Sequence, residues 1–363
     1  MSAKTRKTVI RVALDVSPLY SGHQVRGIGF YTQRLLAAFE AIGPKILTVY
    51  RIKKKEALFS TDADLVHLPY FSPFFLTLPF RPSKPLVVTV HDLIPLKYPA
   101  HFPAGIKGRL KWAFQKRLLA NADAIITDSR ASALDIHRLG GVPEQKIKVI
   151  YLAADPDFCP VSDESVKKSI SKKYNLPEHF ALYVGDINWN KNVPGLIAAC
   201  QKIKLPLVLV GKQIVSTDFD NRHPENQDLV KVQSALKNQS GLFSPGFVPT
   251  EDLKVIYALA SVYCQPSFDE GFGLPVLEAL ACGCPVIAGN RGSLPEISAG
   301  AALLVNPDNP DDLPRILQKV TGQNQLRAKL ARLGIKQAAK FSWGATAENT
   351  LKVYRQIINN AQN

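Results

Sequence analysis

The chain has no hydrophobic run long enough to span a bilayer. Its longest apolar stretches, such as "FSPFFLTLPF" at 71–80, are broken by prolines and fall well short of the ~20 residues a spanning helix requires. Cysteine is sparse and odd in number: Cys159, Cys200, Cys264, Cys282 and Cys284 are scattered, and none sits in a Cys/His cluster of zinc spacing. A reducing cytosol is the natural compartment for such a chain. There is no internal repeat and no low-complexity tract. The opening "MSAKTRKTVIRVALDV" is basic and then apolar, but it lacks a small-residue cleavage site and alternates like a strand, so it reads as a short tail before a first strand. A complete Gly-x-Gly-x-x-Gly is missing as well: Thr32 holds the third glycine position after Gly27 and Gly29, which counts against a nicotinamide enzyme.

What is present is an ordinary globular composition, 46% apolar and 21% charged, over 363 residues, a length that suits two domains better than one core. The formal charge is +15, and residues 1–160 carry most of it, with 23 Lys and Arg against 12 Asp and Glu. Such an excess attracts nucleic acid, anionic lipid headgroups or phosphorylated substrates, and a merely soluble basic surface explains it equally well. Aromatic residues do not interleave with the basic ones as stacking platforms except at 111–117, so nucleic acid is not expected as a partner.

Short β-rich runs alternate with helical stretches. "VIRVALDV", "LTVYRI", "DLVHLP", "PLVVTVHDL", "DAIITDS" and "KIKVIYL" form a first series, and "FALYVGD", "PLVLVG", "LFSPGFV", "SVYCQPS", "PVIAGN" and "AALLVN" a second. This rhythm predicts right-handed βαβ crossovers and parallel sheets. An Asp-, Pro- and Ser-rich stretch at 153–165 separates the series as a linker. The expected domains are 1–160 and 161–343, both Rossmann-like, with a last helix at 344–363 packing back on the first.

Ligands of open parallel sheets bind beyond the carboxyl ends of strands, where loops enter helices. "EGFGLPVLEALACG" at 270–283 occupies such an end. Its glycines let backbone approach a ligand, and the helix start favours an anion such as diphosphate. Glu270 and Glu278 offer acceptors for sugar or ribose hydroxyls. A surface loop with a solvated helix is the plain alternative. In the first series, Gly27 and Gly29 free the chain to curl toward a phosphate directly after strand one. His91, at the end of "VVTVHDL", could donate to a substrate oxygen or shuttle a proton, or be a structural histidine bonded to neighbouring backbone. Lys191, in "YVGDINWNKN", could neutralise charge on a departing phosphate, or be one more surface lysine. Three Asp-x-Asp pairs, Asp62/Asp64, Asp155/Asp157 and Asp218/Asp220, show how unspecific that metal-like pattern is. The segment "PAGIKGRLKWAFQKRLLAN" mixes apolar and basic residues as an interfacial helix would, although Ile106, Leu110, Phe114 and Leu118 repeat every four residues and also suit a core face.

Together, "EGFGLPVLEALACGCPVIAGNRGSLPEI", "SGHQVRGIGFYTQRLL", "VVTVHDLIPL", "DAIITDSRASALDI", "LYVGDINWNKN" and "GFVPTEDLKVIYALA" make the chain resemble the retaining GT-B glycosyltransferases of family 4, the glycosyl transferases group 1, over nearly its whole length. The pairing of "HDLIP" with "KN" is similar to mannosyltransferase-like members that build surface polysaccharides. The resemblance implies an α/β GT-B fold, two Rossmann-like domains facing each other across a cleft. It implies metal-independent transfer of a hexose, GDP-mannose being the favoured donor, from a nucleotide-diphosphate sugar to a hydroxyl of a glycan or lipid-linked acceptor. Catalysis would involve His91, Lys191 and Glu270. The donor would be bound by Gly27, Gly29, Phe247, Val248, Phe272, Gly273, Leu274 and Glu278, with the nucleobase near Phe247 and Val248. No cofactor is implied beyond the nucleotide sugar itself. The place of work would be the cytoplasm, at the inner face of the plasma membrane if the basic domain meets anionic lipid. Where many members carry an arginine, this chain has Asp186 and Asn190, with Arg26 or Lys212 as stand-ins. A nucleotide-sugar epimerase, a sugar phosphorylase or a nucleic-acid-binding protein are the rival readings.

Overall fold

The structure is a computed structural model describing residues 9–22, 27–54, 57–80 and 82–362. The chain divides into two compact units: one comprises the residues up to Pro99, Ala104–Leu152 and the chain from Ser342, the other Ala100–Pro103 and Ala153–Phe341.

Six parallel strands form the sheet of the first unit: β1 (Ile10–Asp15), β2 (Leu47–Ile52), β3 (Leu65–Leu68), β4 (Leu86–Thr89), β5 (Ala124–Thr127) and β6 (Ile147–Val149), in the order β2-β1-β3-β4-β5-β6. The second unit repeats the plan with β7 (Ala181–Val184), β8 (Leu207–Val210), β9 (Leu242–Gly246), β10 (Val262–Gln265), β11 (Val286–Gly289) and β12 (Ala302–Val305), in the order β12-β11-β10-β7-β8-β9. A parallel sheet covered by helices on both faces needs strands that are apolar throughout rather than alternating. The runs "LVVT" of β4, "AIIT" of β5 and "LVLV" of β8 meet this demand, being buried at every position.

The strand order fixes where a ligand can enter. In the second sheet the chain runs outward from β7 through β8 to β9, then returns to lay β10 on the other side of β7. The helices that follow β7 and β10 therefore leave in opposite directions, which opens a crevice between the carboxyl ends of these two strands. In the first sheet the reversal lies between β1 and β3.

One boundary differs from the sequence expectation. The first unit ends at Leu152, not at 160, because Phe158 in the Asp-Pro-rich stretch is buried in the core of the second unit. Gly27 and Gly29 lie in the first turn of the helix Gly27–Ile42, where the sequence places a helix start. Arg26 lies outside the described residues.

The C-terminal helix Trp343–Gln362 belongs to the first unit. Thr346 Oγ1 donates to the Tyr151 carbonyl at 2.7 Å, and Tyr354 reaches the buried His67 of β3. His67 Nδ1 lies 2.6 Å from the Tyr354 hydroxyl and Nε2 lies 2.8 Å from Thr89 Oγ1, which is 3.1 Å from the Tyr31 hydroxyl. A polar thread thus runs through the interior, with each member satisfied by the next. Burial, aided by the nearby charge of His91, lowers the His67 pKa from its ordinary 6.5 to about 3. The unfolded chain binds this proton first as pH falls, so His67 makes stability decline from about pH 6.5 toward 3. Replacing His67 by Gln should flatten that part of the urea-midpoint profile against pH while lowering stability at neutral pH; an unchanged acid slope would contradict the neutral assignment.

Candidate active site

The crevice beside β7 and β10 holds one tightly bonded ion pair. Lys191 follows β7 and Glu270 follows β10, so two residues 79 positions apart meet because their strands are neighbours. Lys191 Nζ donates to Glu270 Oε1 at 2.8 Å and to Oε2 at 2.6 Å. Oε1 also accepts from Gln265 Nε2 at 2.6 Å and from Ser267 Oγ at 2.7 Å, while the Tyr263 hydroxyl fixes Gln265 by donating to its Oε1 at 2.6 Å. Glu270 is buried and Lys191 half-buried. Oε1 is saturated by three donors, whereas Oε2 carries one, so Oε2 is the oxygen with capacity left for a ligand hydroxyl.

Neighbouring loops hold the 266–272 segment against the pair. Asn190 accepts from the Phe268 amide at 2.7 Å through its carbonyl and donates from Nδ2 to the Asp269 carbonyl at 3.0 Å. The ring of Trp189 stacks on Phe268 with centroids 4.8 Å apart. From the other side, Ser293 Oγ donates to the Phe272 carbonyl at 2.7 Å and its amide to the Glu270 carbonyl at 3.2 Å. The helix Leu274–Ala281 then starts from Gly273, whose φ of +96° belongs to the left-handed region, with Pro275 in the first turn. A helix start presents amides that have no carbonyl partner within the helix, and these face anions favourably. Glu278, in the last turn of that helix, accepts from the Tyr257 hydroxyl at 3.0 Å. Burial pushes its carboxyl up to about 7, against the opposing effect of that hydrogen bond. Beyond the edge strand β9, Phe247 is exposed and Val248 buried.

In the first unit, His91 stands after β4 between two acceptors: Nδ1 lies 2.6 Å from Asp128 Oδ2 and Nε2 lies 3.2 Å from the Pro69 carbonyl. A ring facing acceptors at both nitrogens has a partner for a proton on each, which favours the imidazolium. Its pKa is raised: burial acts to lower it, but the charge of Asp128, their hydrogen bond, Asp92 and the Pro69 carbonyl outweigh burial. Tyr31 packs edge-on against the ring at 4.9 Å. Of the two expectations for His91, the contact with the Pro69 carbonyl matches a histidine bonded to neighbouring backbone, and the Asp128 carboxylate is its second partner. Asp128 Oδ1 is buried with no hydrogen-bond partner among the described residues, an oxygen that a ligand donor would satisfy.

Two family profiles divide the chain: glycosyltransferase family 4 matches residues 10–158, and glycosyl transferases group 1 matches residues 166–337. O-antigen chain mannosyltransferase B of Escherichia coli is 32% identical over 332 residues, which cover 89% of this chain and 83% of that protein. The chain belongs to glycosyltransferase family 4. Serotype-specific mannosyltransferase WbdA of Escherichia coli is 29% identical over 286 residues, 76% of this chain but 34% of that protein's length. Among solved structures, sucrose-phosphate synthase from Thermosynechococcus elongatus superposes with a TM-score of 0.74 over 97% of this chain and 100% of that one, at 22% identity, which shows the GT-B fold.

Within this family 4 glycosyltransferase the structure joins Lys191 to Glu270 and seats Phe272, Gly273 and Leu274 at the start of the helix bearing Glu278. Asn190, read from sequence as a lost arginine, is buried and clamps the Glu270 loop. Lys212 is exposed after β8. Gln265 and Ser267 were missed, although a glutamine closing the apolar run "VYC" was a signal of a buried polar task. The Asp-x-Asp pairs have other work: Asp62 and Asp64 bind Arg11, Asp155 accepts from the Asp157 amide, and Asp220 from the Arg222 amide.

Gly292 shows how closely the loops fit. At φ +60°, a Cβ there would lie 2.7 Å from the Glu270 amide nitrogen and 2.8 Å from its carbonyl oxygen, and would also strike Asp269. Gly292→Ala should therefore displace Glu270 and lower kcat/KM for sugar transfer at least about tenfold. Gly300→Ala, also at positive φ but with open space around it, is the matched control and should keep near-normal transfer.

Proposed function

We propose that this family 4 enzyme moves mannose from GDP-mannose to a hydroxyl of a glycan or lipid-linked acceptor during surface polysaccharide synthesis. Transfer would retain the anomeric configuration, require no metal ion and take place on the cytoplasmic side of the membrane. The observation that carries the reading is the Lys191–Glu270 pair at the switch point of the second sheet, where one ammonium and one unsaturated carboxylate oxygen stand side by side. The mannosyl preference is supported by the names of the relatives.

In this reading Glu270 Oε2 accepts from sugar hydroxyls, and the backbone of Phe272, Gly273 and Leu274 receives the diphosphate. Lys191 balances the charge that builds on the leaving phosphate. Glu278 accepts from the ribose hydroxyls, and the base rests beside Phe247 and Val248. Within the first unit, Gly27 and Gly29 lie in a helix's first turn, whose amides suit a phosphate, and His91, bonded to Asp128, is proposed to take part in transfer. Retention is proposed through attack on a single face, without a covalent glycosyl–enzyme intermediate. Glu270 Oε2 is assigned here to the sugar hydroxyls, so the carboxylate is not cast as a nucleophile for a double displacement. The acceptor oxygen then attacks on the face that the diphosphate leaves, and a phosphate oxygen takes its proton.

Incubation with a panel of nucleotide sugars should give transfer from GDP-mannose with free GDP released only when acceptor is present. Proton NMR of the product should show the donor's anomeric configuration, and an inverted product would refute the mechanism. Lys191→Ala should lower kcat by about 10²-fold or more with a smaller change in KM; unchanged turnover would remove Lys191 from the chemistry.

Glu278 adds a pH signature. As a carboxylate it accepts two hydroxyls, and with a pKa of about 7 it reaches that form only as pH rises through neutrality. Donor affinity should strengthen by up to about tenfold between pH 6 and 8, and Glu278→Gln should bind weakly with a flat profile. Isothermal titration at several pH values checks this.

A further inference from the structure

We propose that the face built by the helix Gly105–Asn121 and the loop 72–80 seats the enzyme on a bilayer surface carrying anionic headgroups. The four-residue spacing of Ile106, Leu110, Phe114 and Leu118 also suits a core face, and the structure decides against that for three of the four. Leu118 is buried, but Ile106 is 80% exposed, Leu110 67% and Phe114 42%. The buried side of the helix consists of Gly108, Gln115, Leu118 and Leu119.

The loop adds a second row. Phe75 is 67% exposed, Leu76 60% and Phe80 64%, and the Phe80 ring stacks on Phe114 with centroids 5.9 Å apart. This display is held in place. Gln115, fully buried, accepts from the Thr77 amide at 2.7 Å and the Leu78 amide at 3.2 Å, and donates to the carbonyls of Ser72 and Phe75. Single exposed apolar side chains are ordinary, but six large ones gathered on a stapled loop and the neighbouring helix mark an interaction surface.

Charge identifies the occupant. The helix carries Lys107, Arg109, Lys111 and Arg117 and contains no acidic residue, and neither does the loop. Lys111 Nζ lies 5.5 Å from the Phe75 ring. A second copy of this chain would bring the same cations against themselves across a two-fold interface. A surface of anionic headgroups complements the cations and accepts the apolar side chains at the acyl boundary. No helix among the described residues is long and apolar enough to cross a membrane, so the contact is with the surface. The inference deepens the reading of a lipid-linked acceptor by placing the enzyme where such acceptors reside.

Co-sedimentation with vesicles tests it, using phosphatidylcholine alone or mixed with phosphatidylglycerol, at low and raised salt. The wild-type protein should partition onto the phosphatidylglycerol vesicles and stay in solution with phosphatidylcholine alone. The triple variant Phe75→Ser, Leu76→Ser, Phe80→Ser and the double variant Lys107→Glu, Arg109→Glu should each lower the partition coefficient at least about tenfold. Both should keep the wild-type melting temperature and full transfer to a water-soluble acceptor. Wild-type protein that stays in solution with anionic vesicles at low salt overturns the proposal. So does undiminished binding by the apolar variant, or a wild-type dimer in light scattering that this variant dissociates. Vesicle binding by a chain that transfers no sugar sustains docking and overturns the mannosyltransferase reading alone.

Discussion

The ion pair of Lys191 and Glu270 is the constraint that organises the second unit. A buried carboxylate is tolerated only when charge and donors meet it, and a half-buried ammonium only when an acceptor does. Sheet topology supplies both, because β7 and β10 are neighbours in space and distant in sequence. Much of the surrounding polar structure serves this arrangement. Tyr263 holds Gln265, which with Ser267 fills Oε1 of Glu270, while Asn190 and Ser293 fasten the loop from its two sides. The loop can lie so close to its neighbours only because residues 273 and 292 have no side chain. A Cβ at Gly273 would stand 2.6 Å from Leu294 Cδ2. Glu270 is thus a fixed acceptor, aimed rather than mobile.

The strands were legible because parallel sheets demand nearly continuous apolar runs, and runs such as those of β4, β5, β8 and β11 stand out against Gly, Pro and Asn punctuation. Glu270 and Lys191 stand out in the sequence for a related reason: each lies just after a strand run, in the loop that leads into a helix. What could not be read is what depends on pairing between distant segments. Nothing in "YVGDINWNKN" announces that Asn190 is a clasp for the 266–272 loop, since its partners lie some 79 residues away. The same holds for Gln115, one polar residue in a basic helix whose whole hydrogen-bonding capacity is spent on a loop about 40 residues earlier. The unit boundary was misplaced for want of one fact, that Phe158 belongs to a core and not to a linker.

The two histidines of the first sheet show why residue type alone does not set chemistry. His67 and His91 follow the same pattern, a histidine within or at the end of an apolar strand. His67 faces two hydroxyls, Tyr354 and Thr89, which can each donate or accept, and in a dry interior the neutral ring is favoured. His91 faces a carboxylate and a carbonyl, which can only accept, and the charged ring is favoured in spite of burial. The charge of each also bears on the other, since the His91 imidazolium helps keep His67 neutral. The Tyr31–Thr89–His67–Tyr354 thread ties the C-terminal helix to the strands that end beside His91, so the last twenty residues of the fold stabilise the setting of a charge far from them in sequence.

With Asn190 committed to holding a loop, the cation available beside Glu270 is Lys191, and it is already bonded to both carboxylate oxygens. A diphosphate entering this crevice would have to share that ammonium with Glu270. An arginine could serve both anions at once through its planar fork of five donors, whereas a lysine offers three donors on one nitrogen. More of the diphosphate charge would, in the proposed chemistry, then fall to the helix start at Phe272, Gly273 and Leu274, where the donors are backbone amides fixed by conformation. In the proposed chemistry this favours catalysis over ground-state binding. An ammonium partly engaged by a carboxylate is attracted most strongly by the phosphate oxygens as the sugar departs and their negative charge grows, so its contribution is largest in the transition state.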